Sequence, residues 1–250
     1  MFNTGTDVEK KERGKFLEGV FPSLSPGEIE ALQRISLQVH YDEGELIAQE
    51  GSYAAGIYVV QSGLLRIGKY ASRGWEKRCL RFLAVGEMFG LETVFLEREP
   101  INVQFAKAIV ESTLVFFERT NILAFSERHP NLYADLCRWL SREVIMLEFK
   151  LTREAVEPVD RNLALLLTAL ANNYGNKGED GIEIELPISR QTMAEMAGVS
   201  IETLMRALRR FRERRLISTS QGQITIKDID SLKERAHATP FYISILEETL

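Results

Sequence analysis

The spacing of hydrophobic residues changes along the chain, and the changes divide it into regions. Ser25-Pro26-Gly27-Glu28 has the form of a capping box: a serine N-cap, proline at the first helical position and glutamate at the third. Ile29, Leu32 and Ile35 follow at helical spacing, which predicts a helix over 26–36. From residue 40 to about 119 the pattern becomes short apolar runs, at Leu46-Ile47, 57–60, 64–67, 80–83, 105–110 and 114–117. Gly44, Gly51, Gly56, Gly63, Gly86 and Gly90 punctuate them as turn residues. Short strands so spaced predict an antiparallel sandwich or barrel.

After Pro130 the period is helical again. Leu132, Leu136, Leu140, Val144, Leu147 and Leu151 step by three or four residues and form one apolar stripe. Arg138, Arg142, Glu143 and Lys150 occupy the remaining faces. So long a stripe predicts a two-fold helix pair that also touches the sheet, in preference to a helix packed on its own sheet alone. Glu157-Pro158 breaks the helix and marks a domain boundary. Leu163, Leu166, Leu167 and Leu170 form the core side of the next helix, 172–181 reads as a polar loop, and 182–186 alternates like a strand.

Residues 189–216 read as helix, tight turn, helix. The first helix, over 190–197, carries small residues at Ala194 and Ala197, where a second helix can approach closely. Gly198 suits a left-handed helix end, Ser200 an N-cap, and Val199 a staple onto Leu204. That combination meets the steric demands of a helix-turn-helix. In the second helix Leu204, Leu208 and Phe211 should be buried, leaving Ile201, Glu202, Met205, Arg206 and Arg209 on the opposite side. Recognition helices read bases through their first turns, so Ile201, Glu202, Met205 and Arg206 are the candidate base contacts. Arg206 can bond guanine O6 and N7 bidentately, and Glu202 can accept from a cytosine amino group. The two could also pair with each other at i, i+4. Ser189, Arg190, Gln191, Ser200, Thr203, Arg209 and Arg215 are candidate phosphate contacts. Residues 216–218, a turn at Gly222 and 224–226 predict a two-stranded wing, whose Ser218, Thr219, Ser220 and Gln221 can donate to phosphates.

Net charge is −5, which by itself argues against a nucleic-acid partner. The average conceals a local excess: residues 190–215 hold seven arginines against three glutamates. The two cysteines, Cys79 and Cys137, cannot form a four-thiolate cluster and read as reduced, packed thiols. No run of eighteen apolar residues suggests a membrane span, and the polar first residues lack a secretory core, so the expected location is the cytoplasm. No Ser/His/Asp order, HExxH or phosphate-cradling glycine loop supports an enzyme with an accessory DNA domain, the lowest-ranked alternative.

Together these features resemble the Crp/Fnr superfamily. The resemblance rests on Tyr41-x-x-Gly44-Glu45, Glu50-Gly51, Val60-x-x-Gly63, Gly86-Glu87-Met88-Phe89-Gly90 and the segment from Ile188-Ser189-Arg190-Gln191 to Arg206, and it covers about residues 16–236. It implies an α+β chain with an antiparallel β jelly-roll sensor domain, a long dimerisation helix and a C-terminal winged helix-turn-helix. The expected boundaries are a flexible tail over 1–15, the sensor domain over 16–129, the helix over 130–156, the DNA-binding domain over 157–236 and a tail over 237–250. It further implies a homodimer on an inverted-repeat duplex, with RNA polymerase as a further candidate partner. Ile201-Glu202-Thr203 resembles the start of Fnr-type recognition helices, with Met205 where those often carry serine.

For the sensor domain the candidate effector pocket is Gly90, Leu91, Glu92, Asn102 and Val103. Nucleotide-binding members carry arginine and serine where this chain has Ile101-Asn102-Val103-Gln104, so a cyclic phosphate would lack its guanidinium. Cyclic AMP is therefore not expected, and a cyclic-nucleotide response through a non-standard pocket is the alternative. An iron–sulfur cluster is not expected either, because the N-terminal tail has no cysteine. Haem occurs in the family as a gas sensor, and its weak candidate ligands here are Met88, His40, His129 and Cys79. Thiol oxidation at Cys137, across a helix pair, is a remoter option.

Overall fold

The computed structural model describes residues 7–70, 77–96, 100–153, 159–185, 188–220 and 223–236. The chain divides into two compact units, residues 1–144 and 145–250. In chain order the first holds α1 (Asp7–Val20), α2 (Pro26–Arg34), β1 (Ser36–Tyr41), β2 (Leu46–Ala48), β3 (Gly56–Ser62), β4 (Leu65–Tyr70), β5 (Lys77–Leu83), β6 (Met88–Phe89), α3 (Leu91–Val94), β7 (Phe105–Ala108), β8 (Ser112–Glu118) and α4 (Arg119–Arg128). The helix α5 (Asn131–Arg153) spans the division.

Two four-stranded sheets, ordered β1-β8-β3-β6 and β2-β7-β4-β5, are antiparallel throughout. Their facing sides share one core, in which Val60, Phe89 and Leu114 meet Leu65, Ile67, Leu83, Ala106 and Ala108. The other face of the first sheet is covered by helices: Ile57, Val59, Val115 and Phe117 pack with Leu17, Phe21, Ile29, Leu32, Ile122, Leu132 and Leu136. Cover on both faces explains why β3 reads as an unbroken apolar run, Ile57-Tyr58-Val59-Val60, with no polar alternation.

The capping box forms as expected. Glu28 Oε2 accepts from the Ser25 backbone N–H at 2.8 Å and from its hydroxyl at 2.7 Å. Three expectations need correction. The helix stops at Arg34, and Ser36 already opens β1. The stretch expected as a flexible tail over 1–15 is helical from Asp7, anchored by the fully buried Leu17 and by Phe21 packed edge-on to Phe117 at 6.2 Å. The first compact unit also extends beyond residue 129 to include half of α5.

That half overturns part of the expected dimer stripe. Leu132 and Leu136 are 0% and 4% exposed and belong to the core of their own unit, so they are not available to a partner helix. Leu140, Val144 and Leu147 are 41%, 54% and 49% exposed. The stripe thus has two parts, Leu132 and Leu136 turned into the core of their own unit and Leu140, Val144 and Leu147 turned outward. The side chain of Leu151, residues 157–158 and the tail over 237–250 lie outside what is described.

The second unit holds α6 (Val159–Tyr174), β9 (Gly175–Gly178), β10 (Gly181–Ile184), α7 (Arg190–Ala197), α8 (Ile201–Glu213), β11 (Ile217–Ser220), β12 (Gln223–Ile226) and α9 (Ile229–Ala236). Its sheet runs β11-β12-β10-β9. The region expected as a polar loop over 172–181 is the end of α6 and an edge strand paired to β10. The core joins Leu163, Leu167 and Leu170 of α6 to Leu204, Leu208 and Phe211 of α8 and to Ile217, Ile224 and Ile226 of the sheet.

Candidate nucleic-acid interface

The helix pair α7–α8 is held by local chemistry at every junction. Ser189 caps α7 by accepting from the Thr192 N–H at 3.0 Å. Gly198 ends it in the left-handed region at φ 69°, where a side chain would cost about 1 kcal/mol or more. The Val199 N–H returns to the Ala194 carbonyl at 3.0 Å, Ala194 and Ala197 are each 1% exposed, and Val199 packs against the core that contains Leu204. Ser200 caps α8, accepting from the Thr203 N–H at 3.3 Å.

On α8 the buried side is Leu204, Ala207, Leu208 and Phe211. Ile201, Glu202, Met205, Arg206 and Arg209 are exposed on the other, as the sequence predicts. Gln191, Ser189, Ser200 and Arg215 are also exposed, while Arg190 and Thr203 are half-buried. Glu202 does not pair with Arg206, contrary to the i, i+4 expectation: among the described residues no ion pair joins them. Its carboxylate turns back to its own N–H and the Ser200 hydroxyl, which with the charge of Arg206 hold it below the usual carboxylate range. Arg206 instead donates from Nη2 to Thr203 Oγ1 at 3.3 Å.

The arginines behind this face have different tasks. Arg210 pairs with Asp160 of α6, and Arg214 reaches the same carboxylate at 3.9 Å, so both brace α8 against α6 at the surface of the unit. Arg212 donates to Thr219 of β11 at 3.3 Å, and Arg209 pairs with Glu213 at 2.9 Å on the surface. Burial, followed by the nearby charge of Arg212, lowers the pKa of Arg190. Sequence reasoning missed the brace through Asp160, which lies 50 residues from Arg210. The wing forms from β11 and β12 with Ser220 opposite Gln223, and its turn residues Gln221 and Gly222 are outside the described set.

In the first unit the expected effector residues are brought together only in part. Gly90, Glu92, Asn102 and Val103 line a recess with Phe89, Thr93 and Gln104, and its volume is about 10 Å³, the room of one water molecule. Leu91 is instead buried in the helical core at 3% exposure. Gly90 has a backbone reason to be glycine: at φ 93° a Cβ would stand 2.3 Å from the Gly56 carbonyl oxygen. Asn102 is a brace, donating its amide to Ser52 Oγ and the Tyr53 carbonyl at 3.1 Å each. The candidate haem ligands have partners of their own. Met88 is in the core, His40 meets Thr113 Oγ1 at 3.0 Å, His129 stacks on Phe125 at 4.2 Å, and Cys79 contacts the Arg81 carbonyl at 3.8 Å. Among the described residues no group of three or more His, Cys, Asp or Glu could hold a metal ion.

Comparison with known proteins gives two family matches: the cyclic nucleotide-binding domain over 38–129 and the Crp-like helix-turn-helix domain over 161–235. The nitrogen fixation regulation protein FixK of Rhizobium meliloti is 31% identical over 196 residues, spanning 78% of this chain and 83% of FixK. The chain belongs to the Crp/Fnr family of transcription regulators. A CRP-like cAMP-activated global transcriptional regulator of Mycobacterium tuberculosis is 26% identical over 218 residues, 87% of this chain and 96% of that one. The fold of this Crp/Fnr regulator matches FixK2 from Bradyrhizobium japonicum with a TM-score of 0.70 at 21% identity, over 82% of this chain and 99% of that one. Its relatives are DNA-binding transcription regulators and not enzymes.

The recess of this Crp/Fnr regulator is small beside a site for a small-molecule ligand. Ligand pockets of that kind are about 300 Å³ or larger, against about 10 Å³ here. Glu92 Oε2 and Gln104 Oε1 at the recess are buried oxygens without partners. No arginine lines it among the described residues.

Proposed function

We propose that this regulator acts in the cytoplasm as a homodimer that places two copies of α8 in successive major grooves of an inverted-repeat duplex. Ile201, Glu202, Met205 and Arg206 face base edges, and Ser189, Arg190, Gln191, Ser200, Thr203, Arg209 and Arg215 lie against phosphates. The observation that carries the reading is the exposed, arginine-bearing first half of α8, opposite a fully buried face and behind an open N-terminus. The exposed Leu140, Val144 and Leu147 support pairing through α5. Signals in the β domain would shift the population of helix arrangements, and contact with RNA polymerase would follow at promoters.

Selection of binding sites from a random duplex pool tests the reading, and an inverted repeat is the expected product. On the selected duplex Arg206→Ala should cost about 1–3 kcal/mol at one symmetric base pair and relax preference there. A monomeric protein with no preference over random competitor would refute it. The cyclic-nucleotide match and the name of the mycobacterial relative favour cyclic AMP as the alternative effector. Calorimetric titration with cyclic AMP and cyclic GMP separates the two readings; absence of heat at millimolar ligand is the expected result.

A further inference from the structure

One buried cation joins the β-sandwich to the long helix. Arg81, on β5, has a side chain 17% exposed and donates from Nη2 to Glu92 Oε1 of α3 at 2.8 Å. Its Nη1 pairs with Glu143 of α5, whose side chain is 15% exposed. Its guanidinium carbon stands 5.6 Å from the centre of the Trp139 ring, one turn earlier on α5. The sequence places Glu143 among solvated charges; the structure makes it an inward anchor. A guanidinium suits such a junction because its rigid fork presents donors in separate directions and it stays charged when desolvated. Burial lowers the pKa of Arg81, while the charges of Glu92 and Glu87 oppose that fall.

We infer that Arg81 is an internal tether that docks α5 on the β-sandwich with no bound molecule, joining the helix that borders the recess to the helix that carries the exposed Leu140, Val144 and Leu147. A buried ion pair contributes little net stability over an apolar replacement, yet its geometry is exacting and loss of one partner is costly. The tether therefore specifies where α5 lies more than it strengthens the fold. This inference does not depend on DNA binding.

Hydrogen exchange of the full chain, read element by element, tests it. Arg81→Met should speed exchange about tenfold or more at residues 139–147 and leave β3 and β8 unchanged. Because Arg81→Met strands two carboxylates, Arg81→Met/Glu92→Gln/Glu143→Gln keeps the test sound: it removes the guanidinium and both carboxylates paired with it and should show the same local loosening. Arg81→Glu/Glu143→Arg, which returns one guanidinium between the same elements, should recover protection that Arg81→Glu alone lacks. The inference is overturned if 139–147 exchange unchanged in the triple variant, if β3 and β8 accelerate equally, or if the swap is no better protected than Arg81→Glu.

Discussion

Arg215 adopts φ 59°, the one positive value at a non-glycine position among the described residues. It sits just past the end of α8, where the Leu216 N–H turns back to the Phe211 carbonyl at 3.0 Å, a position that glycine fills at lower cost. The conformation carries a penalty of about 1–2 kcal/mol, which is consistent with a side chain kept for contact. Arg215→Gly should therefore raise unfolding stability by about 1 kcal/mol and weaken duplex binding on all sequences, reducing the salt slope by about 1. Denaturant titration and salt-dependent anisotropy read the two effects; a gain in stability with unchanged slope would remove Arg215 from the phosphate contacts. Glu87 offers a pH test of similar scope. Burial pushes its carboxyl from 4.5 up to about 7, against the Ala84 N–H and the charge of Arg81. A raised folded value makes stability greatest below the unfolded pKa and lowers it as pH rises through the folded one. Wild type should lose up to about 3 kcal/mol between about pH 4.5 and 7. Glu87→Gln can still accept from the Ala84 N–H, so its stability should stay level over that range, match wild type below about pH 4.5 and exceed it increasingly up to about pH 7, with the full difference kept at pH 8. Equal urea midpoints at pH 8 would show that the Glu87 carboxyl is not desolvated as described.

Among the elements, legibility followed local determination. α7 and the start of α8 are readable to the residue because Ser189, Gly198 and Ser200 fix those ends within a turn or two. α1 is not, since it presents few apolar side chains before Leu17 and only tertiary packing on Phe117 and its neighbours orders it. β9 is an edge strand of glycine and polar residues, mostly exposed, so it carries no alternation to detect. α5 shows a period that is real while its cause changes midway. Leu136→Ala should lower thermal stability by about 2–5 kcal/mol at any concentration, because it opens a cavity in a core already closed by one chain. Leu147→Ala leaves that core intact and should instead weaken self-association. Sedimentation velocity with thermal unfolding separates them. Loss of protomer stability from Leu147→Ala, with association unchanged, would place that residue in an intramolecular contact.

At the scale of the whole molecule the sequence conveys order but not long-range pairing. The sandwich, helix and winged segment follow from periodicity, whereas Arg81–Glu143 and Arg210–Asp160 join residues far apart in sequence whose charges look like ordinary solvated ones. The same limit applies to the pocket. Gly90 and Asn102 stand where a ligand-binding motif would, yet backbone crowding and loop bracing account for both. The proposal of two recognition helices acting together has a geometric consequence independent of any effector. Half-sites read by a two-fold dimer must lie on one face of the duplex, about 34 Å or one helical turn apart. Adding five base pairs at the centre of the selected inverted repeat rotates one half-site by about half a turn, to the opposite face. Binding should then fall to the level of a single half-site, while substitutions at the centre that keep the spacing should leave it nearly unchanged. Gel-shift titration of the lengthened duplex decides the matter: retained affinity would mean that each copy of α8 binds its half-site alone.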